Sequence, residues 1–249
     1  MKKILLLSFL ISSSVFIAQT ADEVIDKHLA ALGGKEKLRA LKSTRITIKA
    51  QAQGFEIPVE MLSKNNGCVK STTTIQGMKM IQCYDANAKA GWMTNPMMGD
   101  KKAQKMNEEQ VKQVREQGGK LQSDLLDYKE KGHSAEYLGK EDMEGEEVYL
   151  IKLTKKDGSV VYYYIDVLTN LTIKEKTKTK LKDKESESET LYSNYITVDG
   201  ITSPGTIEAG GMMGSFVANV EKVEYNIELD DAIFKMPSTE AVTDQNKEK

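Results

Sequence analysis

From residue 43, and again after His133, the chain repeats one pattern: apolar residues at every second position, in runs broken by turns such as Gly54, Gln76-Gly77 and Asp157-Gly158. Period two fits strands with one buried face and does not fit helices, so an antiparallel sheet built from hairpins must dominate the fold. Ile46, Ile48, Ala50 and Ala52 alternate with Arg45, Thr47, Lys49 and Gln51. Gly54 turns the chain, and Phe55, Ile57, Val59 and Met61 then alternate with Glu56, Pro58 and Glu60. Pro58 lacks a backbone N–H, which suits an edge or a bulge. Further strands are expected on either side of Gln76-Gly77, at 135–139, 147–154 and 160–165, and at 201–209 and 216–226. Asp157-Gly158 is a strong turn between two of them.

Charge writes one hairpin explicitly. With 181–184 as the loop, opposed positions sum to 365, so Lys180 faces Glu185, Lys178 faces Glu187 and Lys176 faces Glu189. Thr177 and Thr179 oppose Ser188 and Ser186 on the other face, so this tip projects into solvent. With Gln76-Gly77 as a two-residue turn, opposed positions sum to 153, which sets Cys83 against Lys70 and makes Cys68 a diagonal neighbour of Cys83. That geometry neither forbids nor secures a disulfide between Cys68 and Cys83; the other reading is two half-buried thiols.

Two segments break the alternation. Thr20 and Glu23 have the spacing of a capping box, and Val24, Ile25, His28, Leu29 and Leu32 share one helical face before Gly33-Gly34 stops it. Leu38 and Leu41 suggest a short second helix. Residues 100–126, with Val111, Val114, Leu121, Leu125 and Leu126, read as a helical insert divided by Gly118-Gly119. The expected fold is α+β and mostly antiparallel β: an open half-barrel sheet of ten to twelve strands, with the N-terminal helix and the insert covering its concave face.

Lys2 and Lys3 precede an apolar run from Ile4 to Ala18, the pattern of a secretory signal peptide cut after Ala18 or Ala21. One domain is expected over 19–238, with a polar tail at 239–249. The chain carries 35 basic and 37 acidic side chains, and that mild acidity argues against a nucleic-acid surface, which needs a basic stripe. An exported, periplasmic or extracellular protein, soluble after signal removal and monomeric, is the expectation.

Catalytic vocabulary is sparse. His28 lies on an apolar helix face, as a satisfied core histidine would, and His133 lies in a glycine-flanked turn. No zinc spacing, nucleophile elbow or phosphate loop is present. Asp22, Asp26, Asp230 and Asp231 supply carboxylates for a hydrolase, but helix-start and turn roles fit them better. Methionine is more telling. Met93, Met97, Met98, Met212 and Met213 gather with Trp92 and glycines at segment junctions. Unbranched, polarizable side chains suit a deformable apolar mouth, and they equally fill gaps at the ends of a sheet.

The stretches HLAALGGKEKLRALKS, GWMTNPMMGDKK, LLDYKEKGHSAEYLGKEDMEGEEVYLIKLTKKDG, YYYIDVLTNLTIKEK, NYITVDGITSP and VEYNIELDDAIFKMP resemble, in order and spacing, the outer-membrane lipoprotein-sorting or lipoprotein-carrier (LolA/LolB-like) superfamily. The resemblance spans nearly the whole mature chain and implies an open antiparallel half-barrel capped by helices, enclosing an apolar cavity for acyl chains. The residues that hold the lid closed in the well-studied carriers have no counterpart here, so Arg45 is given no such role. The expectation is a carrier without enzymatic activity or cofactor, with an acylated protein or lipid as ligand and a membrane-bound donor or acceptor. Ile46, Ile48, Phe55, Ile57 and Val59 are expected on the cavity wall, with Trp92, Met93, Met97, Met98, Met212 and Met213 near its rim. An exported interaction module with a self-filled core is the other reading.

Overall fold

The computed structural model describes residues 19–237, apart from 53, 118–121, 182–183 and 212–213. The signal-peptide stretch, the tail, and Met212 and Met213 thus lie outside the described residues. Strands in chain order are β1 Ser43–Ala52, β2 Phe55–Lys64, β3 Val69–Ile75, β4 Met78–Asp85, β5 Ala90–Asn95, β6 Asp100–Lys105, β7 Ser134–Met143, β8 Glu146–Thr154, β9 Val160–Asp166, β10 Thr172–Leu181, β11 Lys184–Ser193, β12 Ile196–Val198, β13 Ile201–Ser203, β14 Thr206–Gly211 and β15 Gly214–Tyr225. Helices are α1 Ala21–Ala31, α2 Lys35–Arg39 and α3 Glu108–Gln117.

Thirteen strands form one antiparallel sheet in the order β6-β5-β4-β3-β2-β1-β15-β14-β11-β10-β9-β8-β7, and β12 pairs with β13 separately. The end strands β6 and β7 do not meet, so the half-barrel is open. Both local registers expected from sequence hold: Lys70 opposes Cys83, and Lys176, Lys178 and Lys180 oppose Glu189, Glu187 and Glu185. Lys176 Nζ reaches Glu187 at 2.5 Å and Lys174 reaches Glu189 at 2.9 Å.

The strand count exceeds ten to twelve for two reasons. Residues 100–105, read as the start of a helical insert, form β6, an edge strand on β5 whose one apolar side chain is Ala103, so no alternation marks it in the sequence. Residues 201–209, read as one strand, split into β13 and β14 around Pro204-Gly205. Of the insert, α3 is helical and residues 124–132 are turns. Pro58 is not on an edge strand, since β2 lies between β1 and β3. It sits one residue outside the β2–β3 ladder, which begins at Val59 opposite Thr73, so its missing N–H costs no bond there.

The helices lie on one face of the sheet, here called inner. Thr20 Oγ1 accepts the Glu23 N–H at 3.2 Å and Glu23 Oε2 accepts the Thr20 N–H at 3.1 Å, the expected capping box. Val24, Ile25 and Leu29 from α1, Leu38 from α2, and Leu125 and Leu126 from the turns bury against Ile151, Leu153, Val161, Tyr163 and Ile165. Two bonds from Arg39 to Asp127, at 2.8 and 2.5 Å, hold the turn segment to α2. At the other end of the sheet α3 covers β4 and β5. Val114 is buried there, and a Cβ on Gly91 would come within 2.8 Å of Val111 Cγ2 and 2.9 Å of Met106 Sδ. Only a glycine lets α3 sit so close. The Arg115 guanidinium lies 5.1 Å from the Tyr84 ring centroid.

A second, smaller core lies on the opposite, outer face. Leu62, Cys68, Cys83, Trp92 and Phe234 form it, with Leu229 and Ile233 packed alongside. Residues 227–236 close it like a strap, tied by Lys64 to the Leu229 carbonyl at 3.2 Å and to Asp231.

Candidate functional site

Between its two helix-covered ends the inner face carries an apolar strip. Ile48 opposes Val59 on β2 and Val220 on β15, Ile46 opposes Met61 and Val223, and Ala50 opposes Ile57 and Ala218. Ala218 in turn opposes Ile207 on β14. Because side chains alternate across a strand, all of these share one face. Ile48, Ala218 and Val223 are buried, whereas Ile46, Ile57, Val59, Met61, Val220 and Ile207 are only half-buried. Packing of α1 against β7, and of α3 against β4 and β5, puts the helices on either side of this strip.

Toward the β1–β2 turn the strip ends on exposed aromatics. Phe55 retains 70% of its surface and Phe216 44%, and both follow the inner-face alternation of Ile57–Val59 and Ala218. The side of the strip nearer β9 is more polar. Glu175 stands between Tyr163 and Thr190 on the inner face and shares a hydrogen bond with the Tyr192 phenol. Burial and then the Glu175 charge hold that phenol far above its ordinary pKa. Tyr195 donates its hydroxyl to the Thr172 carbonyl at 2.5 Å.

Of the residues singled out in the sequence, Ile46, Ile48, Phe55, Ile57 and Val59 thus fall together. Trp92 does not join them. It opposes Cys83, which puts it on the outer face, 4% exposed, with its indole N–H donated to the Phe234 carbonyl at 2.7 Å. Met93, one residue on, faces inward, where its Sδ lies 3.7 Å from Gln110 Nε2 of α3. Met97 is 51% exposed in the 3-10 turn Pro96–Met98. The side chain of Met98, like Met212 and Met213, lies outside what is described.

Cys68 and Cys83 are both free and both buried. Cys83 Sγ donates to the Phe234 carbonyl at 3.3 Å, and Cys68 Sγ accepts the Ala86 N–H at 3.3 Å. His28 is a core histidine: its Nδ1 lies 2.9 Å from the Asn170 carbonyl, which can only accept, so Nδ1 carries the proton. His133 Nδ1 accepts the Lys156 N–H at 3.1 Å. The carboxylates considered for hydrolysis are dispersed. Asp22 accepts from Tyr128 and Lys129, each at 2.6 Å, and those bonds hold its carboxyl below the usual range. Asp26 pairs with Lys35 at 2.6 Å, whereas Asp230 caps Ala232 and Asp231 binds Lys64 across the sheet on the outer strap. No group of three histidine, cysteine or acidic side chains placed to hold a metal occurs among the described residues.

Sequence reasoning missed the half of the strip supplied by β14 and β15. Alternation was visible there, but nothing local says that β15 pairs with β1, about 170 residues away.

No protein-family model and no curated protein matches the chain. Its fold, however, is shared with solved structures. A LolA superfamily protein from Nitrosomonas europaea superposes with a TM-score of 0.55 at 16% identity, over 88% of this chain and 98% of that one. A DUF1329 family protein from Desulfovibrio piger gives the same score, identity and coverages. The chain has a LolA/LolB-like fold.

Proposed function

We propose that the protein is an exported, non-enzymatic carrier or binding protein for lipids, lipoproteins or other apolar ligands, which it holds along the inner face of the half-barrel. The observation that carries this reading is the strip centred on Ile48, Val59 and Val220, lined by aliphatic side chains left half-buried between two helix-covered ends. A folded chain gains by covering such a surface, at about 25 cal/mol per Å² of apolar area or about 0.8 kcal/mol per methylene of an acyl chain. Apolar lining therefore suffices for affinity, and the polar Glu175–Tyr192 side supplies a place for a ligand's polar end. The LolA/LolB-like fold supports the same reading.

The test is native mass spectrometry of the protein purified from the exported fraction without detergent, followed by organic extraction, together with uptake of a soluble fluorescent fatty acid. A co-purifying acylated species, and uptake weakened at least about tenfold by Ile57→Glu or Val59→Glu at unchanged thermal midpoint, are expected. An apo mass with no uptake returns the strip to the self-filled interaction module.

A further inference from the structure

The inner strip borders a polar row on its β10 side. Glu175 opposes Tyr163 on β9 and Thr190 on β11; Thr190 opposes Ala209, and Ala209 opposes Phe216. One row along, Tyr192 opposes Ile207, which opposes Ala218. Tyr192 thus adjoins the strip directly, and Glu175 lies one strand beyond it, about 5 Å further. Glu175, Thr190 and Tyr192 are all half-buried.

The hydrogens of this row are already committed. Thr190 donates its hydroxyl to the Tyr192 phenol, and the phenol donates to the Glu175 carboxylate. The nearby Tyr195 hydroxyl goes to the Thr172 carbonyl. A hydroxyl has one hydrogen and a carboxylate about four lone-pair sites, so the row offers a ligand acceptors and no donor. Its charge has the same sense. Lys174 and Lys176 flank Glu175 in sequence but face outward, where they bind Glu189 and Glu187 at 2.9 and 2.5 Å. Lys184 shares the inner parity but occupies the hairpin tip, about 20 Å along β11 from Thr190. Arg115 stands at the far border of the strip, over Tyr84. Among the described residues, the charges that act on the Tyr163 phenol are those of Glu175 and Asp124, and Asp124 is bound by Lys155 at 2.6 Å. Thr177 and Ser188, the next inner pair, are neutral.

We infer that the strip takes an apolar ligand whose polar end is a protonated amine, with the chain on Ile207, Ala218 and Ile57 and the ammonium N–H groups donating to Glu175. The Tyr192 bond is kept in the complex: the phenol fixes the carboxylate, and the lone pairs that it does not use meet the amine. A phosphate or carboxylate end brings only acceptors and a like charge, and the row has no donor for it. A neutral hydroxyl end falls between the two. This inference deepens the carrier reading and rests on it.

The test is isothermal titration calorimetry at pH 7 of the full chain purified without detergent. Its ligands share an unbranched ten-carbon chain: decylamine, 1,2-decanediol and decanoate, each below its micelle concentration. The Kd of decylamine should be at least about tenfold below that of decanoate, with the diol between. Glu175→Gln should cut the lead of the amine to less than about threefold while the diol, which reports an intact strip, binds as before. Tyr192→Phe frees the Thr190 hydroxyl as a donor and should narrow the gap from the decanoate side. Glu208→Gln, which removes an exposed carboxylate on the outer face of β14, should leave the order unchanged. Equal binding of amine and decanoate by the wild type, or a lead that survives Glu175→Gln, overturns the inference and leaves the carrier reading standing. Binding of none of the three overturns both. Fragmentation of an amine-bearing species in the organic extract tells an amino lipid from an acylated peptide, either of which fits.

Discussion

The carbonyl of Phe234 accepts the indole N–H of Trp92 at 2.7 Å while the Phe234 ring is wholly buried beside Leu62 and Cys83. This pair locks the C-terminal strap onto the outer face, about 140 residues along the chain from the strand it seals. Phe234→Ala should cost about 3–5 kcal/mol in denaturant unfolding, the range for emptying a buried phenylalanine site. Trp92 is the single tryptophan, so its emission reports the site alone. A red shift in the variant under native conditions means the strap has lifted; an unshifted spectrum with undiminished stability would remove the strap from the fold's stabilising contacts.

The same strap governs the cysteines. Burial pushes the Cys83 thiol up to about 12, and both thiols are buried, so neither should react with a thiol reagent at pH 8 in the native protein. Both should react in denaturant. In Phe234→Ala the Cys83 reaction should appear under native conditions, because its hydrogen-bond acceptor and its cover depart together. Rapid labelling of the native wild type would contradict this placement.

The outer core also marks where sequence reading stopped. Hairpin registers were legible because local signals fix them, a two-residue turn for Lys70–Cys83 and opposed charges across a short loop for Lys178–Glu187. The face that Trp92 occupies was not. Met93 and Trp92 are adjacent, so a single step of parity sends one inward under α3 and the other outward to Phe234. Grouping them by proximity to glycine ignored that parity. The strip was half legible for a different reason: Ile46–Ile48 and Ile57–Val59 are joined by one turn, but Val220 and Ile207 reach them only through a long-range pairing that depends on the whole sheet closing in order.

Two adjacent glycines separate steric fit from backbone strain. Gly33, at φ +119°, comes so close to the β12–β13 turn that an added Cβ would lie 2.3 Å from the Gly200 carbonyl oxygen, whereas Gly34, at φ +93°, has open space. Gly34→Ala should therefore cost only the backbone penalty of its φ +93°, ψ 149° conformation, about 1–3 kcal/mol. Gly33→Ala should cost more, because the Leu32 carbonyl that accepts the Thr202 N–H at 3.0 Å must shift with it. Equal midpoints for the two variants in urea would mean that the α1–α2 corner yields without resistance.

His28 should make the fold sensitive to mild acid. Burial lowers its pKa from 6.5, against the opposing effect of the Asn170 carbonyl. Between the folded value and 6.5 the unfolded chain holds the proton and the folded chain does not, so stability is fully present above about pH 6.5 and falls as pH drops through that window. The slope is at most about 1.4 kcal/mol per pH unit for one group. His133 is also lowered, first by burial, but lies in a half-buried turn and adds less. Asp22 and Asp127, held below the usual carboxylate range by Lys129 and Arg39, lose their contribution only near and below pH 4, in a separate window. His28→Gln, which keeps an N–H for the Asn170 carbonyl but cannot titrate, should flatten most of the stability loss between pH 7 and 5. Urea unfolding of both proteins across that range decides it: parallel curves would place the acid sensitivity outside α1, and converging curves at high pH with divergence at low pH would assign it to this imidazole.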